Sequence, residues 1–166
     1  VKLIISFDPG SIRFGYAVFF VSADSVLLVR SGVCLVQGDS LGEKLFFVFS
    51  YFSSLISSLI SFYSCRDLFF VVERIFVGKN PLSCVVLAAF YSHCFFIASY
   101  FSSPCAEFLA VEVKKFVVGN GRASKRDVEV SLCALFSCLD RGLFSDEYDA
   151  IALGYYYVMN MRPPFS

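Results

Sequence analysis

Two stretches of this chain are almost free of charge, and each is long enough to cross a bilayer. Residues 45–65 hold no Asp, Glu, Lys or Arg, and in 81–106 the only ionisable group besides cysteines and tyrosines is His93. A run of that length either spans a membrane or packs as a helix within a fold. The first run is patterned. Leu45, Val48, Phe49, Phe52, Ile56, Leu59, Ile60 and Tyr63 recur every three or four residues, while Ser50, Ser53, Ser54, Ser57, Ser58 and Ser61 fill much of the opposite side. That is an amphipathic helix with a serine face, and a lipid-facing span gains nothing from such a face. The second run is interrupted by Ser83, Ser92, His93 and Ser99 and stopped by Pro104. It is expected to pack as a helix on a sheet. No stable membrane association is expected, although 57% of residues are hydrophobic and the mean hydropathy is +0.70.

The 166 residues suit a single domain, 1–166. The chain starts directly in an apolar strand pattern, so no signal peptide is expected. Its seven cysteines are odd in number and form no CxxC pair, and there is one histidine. A zinc site is not expected. The cysteines suit a reducing, cytoplasmic setting, acting as small hydrophobes.

The pattern predicts strands at 2–8, 15–22 and 26–36, the last two joined by a hairpin at Ala23-Asp24-Ser25. A helix over 41–63 follows, capped by Asp39 or Ser40. Residues 68–73 form a short apolar run ending in a charge, which suits a buried central strand. Asn80 and Pro81 open a second helix that ends near 102. A strand over 108–113, a loop holding Gly119 and Gly121, a helix over 125–138 capped by Ser124 and a last helix over 146–159 complete the chain. These elements predict an α/β fold in which a mixed five-stranded sheet is flanked by helices.

Four carboxylates stand out. Asp8 and Glu73 end predicted strands, and the crevice beyond the carboxyl ends of strands is where α/β sheets bind ligands. Asp146 and Asp149 are three apart at the start of a helix, on one face. Each has a plainer reading. Asp8 suits the turn before Pro9-Gly10, Glu73 suits a partner for Arg74 or Lys79, and Asp146 and Asp149 suit a helix start. Together they would repel one another unless cations intervened. Hard oxygen donors point to magnesium or manganese, and two such ions are able to activate water against a phosphodiester. Net charge is zero, which counts against nucleic acid. Yet Lys114, Lys115, Arg122, Lys125 and Arg126 fall within thirteen residues.

The motifs resemble the RuvC family of Holliday junction resolvases, which have a ribonuclease-H-like fold. SFDPGS-x-x-x-GYAV carries Asp8, Gly10, Ser11 and Gly15. VVERIFVGKNPLS carries Glu73, Phe76, Lys79 and Asn80. VKKFVVGNGRASKRDV spans 113–128, and SDEYDAIALG carries Asp146 and Asp149. The resemblance implies a homodimer that nicks a four-way DNA junction symmetrically, with two Mg²⁺ (or Mn²⁺) per site and the RuvA–RuvB motor as partner. By that likeness Asp8, Glu73, Asp146 and Asp149 are catalytic and metal-binding, and Lys114 is a catalytic lysine near the scissile phosphate. Phe76 resembles a wedge at the junction centre. Lys79, Asn80, Lys115, Gly119, Gly121, Arg122, Lys125 and Arg126 are implied in DNA contact. One departure is visible. Where the family usually has a Gly-Gln-Ala-Arg-Gly-like segment, residues 88–92 read Ala-Ala-Phe-Tyr-Ser, so the second helix is more apolar.

Two other functions stay open on sequence. A YqgF-like RNA-processing nuclease resembles the first and last motifs, although the Phe76 region and the lysine-glycine stretch favour the junction reading, and a degenerate, non-catalytic junction binder is opposed by the intact carboxylates. Phe76 also suits a core position and the basic run a solvated surface. An actin-like ATPase or sugar kinase would need two large lobes, for which this sequence is too short.

Overall fold

The computed structural model describes residues 1–75, 81–137 and 139–160. Phe76, Lys79 and Asn80 lie outside the described residues, as does the expected cap of the second helix.

Five strands, β1 (Lys2–Asp8), β2 (Arg13–Val21), β3 (Val26–Leu35), β4 (Leu68–Glu73) and β5 (Cys105–Phe108), form one sheet in the order β3-β2-β1-β4-β5. β1 is antiparallel to β2 and parallel to β4, and β4 is parallel to β5. The helices are α1 (Leu41–Tyr63), α2 (Pro81–Tyr100), α3 (Ala110–Val118), α4 (Lys125–Leu135) and α5 (Ser145–Asn160).

Side chains alternate across a strand, and the two faces of the sheet sort accordingly. Leu3, Ile5 and Phe7 of β1 join Phe70 and Val72 of β4 in one core with Val48, Phe52 and Ile56 of α1 and Phe90, Cys94 and Ile97 of α2. Ile4, Ala17, Phe19 and Val71 face the other way, into a core with Val113 of α3, Val128 and Leu132 of α4 and much of α5. By the same parity Asp8 and Glu73 fall on the α5 side.

Both uncharged stretches fold as helices on the sheet; α1 is the amphipathic one its serine pattern predicts, and α2 is apolar on most of its surface. α1 starts at Ser40, whose hydroxyl accepts from Glu43 N–H, while the Glu43 carboxylate accepts from Ser40 N–H. α1 and α2 are nevertheless long and apolar enough to cross a membrane, and they leave Phe46, Phe62, Leu82, Val85 and Phe96 exposed. His93 packs its ring against Phe49 and Phe96, between these helices.

One segment departs from expectation. The strand placed at 108–113 is two elements: β5 ends at Phe108, and Ala110 begins α3. Glu112 accepts a hydrogen bond from Leu109 N–H at 3.1 Å and starts the helix, while Val113 and Val117, four apart, pack on the α5 core. A helical spacing inside a short apolar run was masked by its strand-like alternation. α4 also ends at Leu135 rather than 138, and β2 begins two residues before 15.

The contact that fixes α5 on the sheet is backbone to backbone. A Cβ on Gly15 would lie 2.0 Å from the Asp146 carbonyl oxygen, and one on Gly154 would lie 2.5 Å from the Phe19 ring and 2.7 Å from Ser6 Oγ. Ser6, fully buried, donates to the Ala150 carbonyl at 2.7 Å. Glycine is therefore a space requirement at both positions. Gly15→Ala is expected to destabilise the protein by roughly 1–3 kcal/mol through overpacking. Gly42→Ala, in open space on α1, should be neutral or stabilise by up to about 1 kcal/mol. Urea midpoints of the two variants check this, and equal midpoints would refute the close-approach argument.

A carboxylate cluster at the carboxyl edge of the sheet

The register of β1 with β4 pairs Phe7 with Val72, one residue before each strand-end carboxylate. Asp8 and Glu73 thus emerge from neighbouring parallel strands at the same edge. On the partner strand Asp8 is registered with Gly15, the residue over which the α5 backbone closes. α5 runs from this edge across the sheet, so its first turn brings Asp146 and Asp149 to the two strand-end residues. Glu147, between them, points elsewhere. It is buried and accepts a 2.6 Å hydrogen bond from Ser31 on β3, which anchors the helix start on the opposite wing.

These four acids interact strongly. Burial, then the charges of Glu73, Asp149 and Asp146, push the Asp8 carboxyl well above its ordinary range. Burial and the neighbouring Asp149 raise Glu73 to about 7, and burial raises Asp149. Two lysines oppose the effect: Lys114 acts on Glu73 and Asp149, and Lys125 on Asp8, Glu73 and Asp149. Of the plainer partners for Glu73, Arg74 pairs instead with Glu107 of β5, and Lys79 lies outside the described residues.

Cations hold the outer oxygens. Lys125 Nζ lies 3.6 Å from Asp149 Oδ2 and donates to Ser145 Oγ at 2.9 Å. Arg13 Nε lies 3.1 Å from Asp146 Oδ2, with its guanidinium carbon 5.4 Å from the centre of the Phe144 ring. Sequence reasoning missed Arg13, which sits at an unspecified position between the glycines of the first motif. Its strand parity carried no signal, because it lies at the very start of β2.

The basic segment divides. Lys114 donates to the Ala123 carbonyl at 3.2 Å and ties α3 to the next loop. Lys125, expected on the DNA backbone, reaches the carboxylates themselves. Lys115, Arg122 and Arg126 are exposed and, among the described residues, form no ion pair. The two glycines have local structural tasks. Gly119 is the left-handed end of α3 at φ +86°, and a Cβ on Gly121 would lie 2.8 Å from Val111.

The donor chemistry fits a hard divalent cation, with oxygen ligands and mutual repulsion that such a cation relieves. The thiol of Cys94, fully buried in the α1–α2 core, is pushed up by burial and stays protonated. Among the described residues no three His, Cys, Asp or Glu side chains converge into a ready-made cage.

A mixed five-stranded sheet in this order, flanked by helices on both faces, is a ribonuclease-H-like fold. The profile of the family described as crossover junction endodeoxyribonuclease RuvC matches residues 4–156. The RuvC of Wigglesworthia glossinidia brevipalpis is 25% identical over 98% of both chains. That of Shewanella oneidensis is 34% identical over 78% of this chain and 71% of its own. The structure of Thermus thermophilus RuvC in complex with Holliday junction substrate superposes with a TM-score of 0.77, at 16% identity, over 94% of this chain and 92% of that one. The chain belongs to the RuvC family of Holliday junction resolvases. Family and fold match resolvase activity and point to a metal-dependent nuclease.

The raised carboxylates set a pH signature. A carboxyl whose folded pKa is raised binds more protons folded than unfolded, so its contribution to stability is present at low pH and lost as pH rises. In cation-free buffer, stability should therefore fall as pH rises from about 4.5 to about 7, the span set by Glu73. Each unit of upward shift corresponds to roughly 1.4 kcal/mol. Asp8→Asn should flatten that profile and raise the metal-free Tm at neutral pH by a few degrees. Urea titrations across this range test it, and a rise in stability over the same window would contradict it.

Proposed function

We propose that this chain is a two-metal endonuclease that resolves four-way DNA junctions, with Asp8, Glu73, Asp146 and Asp149 as the groups that hold the ions. One observation carries the reading: parallel register and the close approach of α5 bring two strand-end and two helix-start acids to the same edge of the sheet. Divalent ions at such a site supply an activated water and stabilise the leaving oxygen of a phosphodiester. The remaining tasks fall to the protein. Lys114, held against the Ala123 carbonyl, is suited to balance charge gathering on the transferring phosphate. Lys125 is suited to leave Asp149 for a phosphate oxygen, and Arg13 to leave Asp146 likewise. Both cations are exposed enough for that exchange, with side-chain exposures of 63% and 46%.

The family resemblance assigns Phe76 the wedge role at the junction centre and Lys79 and Asn80 a DNA contact. Lys115, Arg122 and Arg126, with the loop of Gly119 and Gly121, supply backbone contacts, for which exposed unpaired cations are suited. The uncovered apolar faces of α1 and α2 support a homodimer, in which two sites act on one symmetric junction. The RuvA–RuvB motor as partner and a cytoplasmic location follow from the family resemblance.

Asp8→Asn, Glu73→Gln and Asp146→Asn should each reduce cleavage more than about a hundredfold while leaving junction binding within a few fold. The assay is a labelled four-way junction beside linear duplex and structured RNA, with magnesium, manganese or chelator. Paired symmetric nicks confined to the junction and to metal support the proposal. Cleavage of the RNA alone would favour the processing-nuclease reading, and binding without cleavage in every metal would favour the degenerate binder.

A further inference from the structure

A cavity of about 370 Å³ lies between α4 and the turn that leads into α5, walled by Lys125, Arg126 and Arg141 and floored by Cys133 and Tyr148. That volume falls in the range of small-ligand clefts, ~300–1,000 Å³. Its electrostatics are one-sided. The single carboxylate on its wall, Glu129, accepts a hydrogen bond from Gly142 N–H at 3.2 Å and so holds the turn that carries Arg141. Gly142 has φ +87°, a conformation that favours glycine. Tyr148 fixes the same turn from beneath, donating to the Asp140 carbonyl at 2.8 Å. Neither Arg126 nor Arg141 has an acidic side chain within ion-pair distance among the described residues. Two guanidinium groups are thus presented to one cleft on a braced frame. Planar guanidinium forks match phosphate oxygens better than ammonium groups do.

The cleft shares a wall with the carboxylate cluster. Lys125 and Ser145 line it, and the same Lys125 ammonium lies 2.9 Å from Ser145 Oγ and 3.6 Å from Asp149 Oδ2. A strand whose scissile phosphate sat on the carboxylates would run one neighbouring phosphate past Lys125 towards Arg141.

We propose that this cleft is a second phosphate subsite, in which Arg126 and Arg141 grip the backbone phosphate flanking the one that is cut. This rests on the junction-nuclease reading above. Arg141 lies sixteen residues after Lys125 and outside the basic segment, so the fold rather than the spacing assigns it. The subsite would fix the direction in which the cut strand enters, and a free anion of the same chemistry is the competing occupant.

The test is junction binding in EDTA, where no cleavage intervenes. Arg141→Gln and Arg126→Gln should each weaken binding about tenfold and reduce the slope of log affinity against log salt by about one. Arg141→Lys should restore the slope but only part of the affinity, because it keeps charge without the fork. The junction should also slow alkylation of Cys133, read by peptide mass spectrometry, whereas inorganic phosphate at about 10 mM should not. Unchanged affinity and salt slope in both glutamine variants, with Cys133 alkylated at the same rate with and without junction, would overturn the subsite while leaving the nuclease reading intact. Protection of Cys133 by inorganic phosphate alone, with junction affinity unmoved by the variants, would make the cleft a free-anion site and also overturn it. Failure of the unaltered protein to bind any junction would overturn both readings.

Discussion

The backbone of α5 lies against β2 at Gly15 with no room for a side chain, and the function-bearing part of the fold follows from that contact. The helix start carries Asp146 and Asp149. The strand edge beneath it carries Asp8 and Glu73. Only a close approach lets four short acidic side chains share one neighbourhood, and the contact is made by elements that could not otherwise touch: a glycine in a strand, a second glycine at 154, and a buried serine that satisfies a helix carbonyl. The apolar residues around them, from Ile4 and Phe19 to Ile151 and Leu153, hold the helix in place. They do not select its height above the sheet. The small residues do.

That arrangement opposes stability. Desolvation and like charge both disfavour ionised carboxyls, and both raise Asp8 and Glu73. A fold selected for stability alone would scatter these acids or replace them. Here the opposing force is met locally by Lys114, which is held against the Ala123 carbonyl, and by the more exposed Lys125 and Arg13. An exposed arginine or lysine on a carboxylate is a placeholder in electrostatic terms, and on the proposed function it would give way to metal and phosphate. Stability and activity trade against one another at this edge, and the rest of the double-layered core supplies the surplus that makes the trade possible.

The strand-end acids were legible in the sequence because two simple signals coincide: an apolar run that stops on a charge, and a period of two that sends Asp8 and Glu73 to the same face. The helix-start pair was legible from its spacing. α3 was not, since Leu109, Val111 and Val113 alternate like a strand, and the decisive contacts of Val113 and Val117 are tertiary. Arg13 and Arg141 were illegible for a related reason. Each is an isolated charge whose partner, Asp146 in one case and the cleft in the other, comes from a distant part of the chain. The glycines at 119 and 121 were legible as backbone requirements, but as a helix end and a close contact with α3.

The two uncharged helices pose the remaining physical question. α1 and α2 cover one face of the sheet with Phe52, Ile56, Phe90 and Ile97, yet still turn Phe46, Phe62, Leu82 and Phe96 outward. Exposed apolar groups of that size in a contiguous helix pair mark a surface that buries itself against something. A lipid contact would have to accommodate the serine row of α1, whose hydroxyls at 50, 53 and 58 are already bonded back to their own helix carbonyls. Such back-bonded serines present little unmet polarity, and they are small. They are as compatible with close helix packing against a second copy of the same face as they are with solvent. The carboxylate edge does not decide between lipid and protein on this face. On the proposed function, a four-way junction cut in two matched places would call for two sites in fixed relation, and an isologous apolar contact between helix pairs is the simplest arrangement that would supply them.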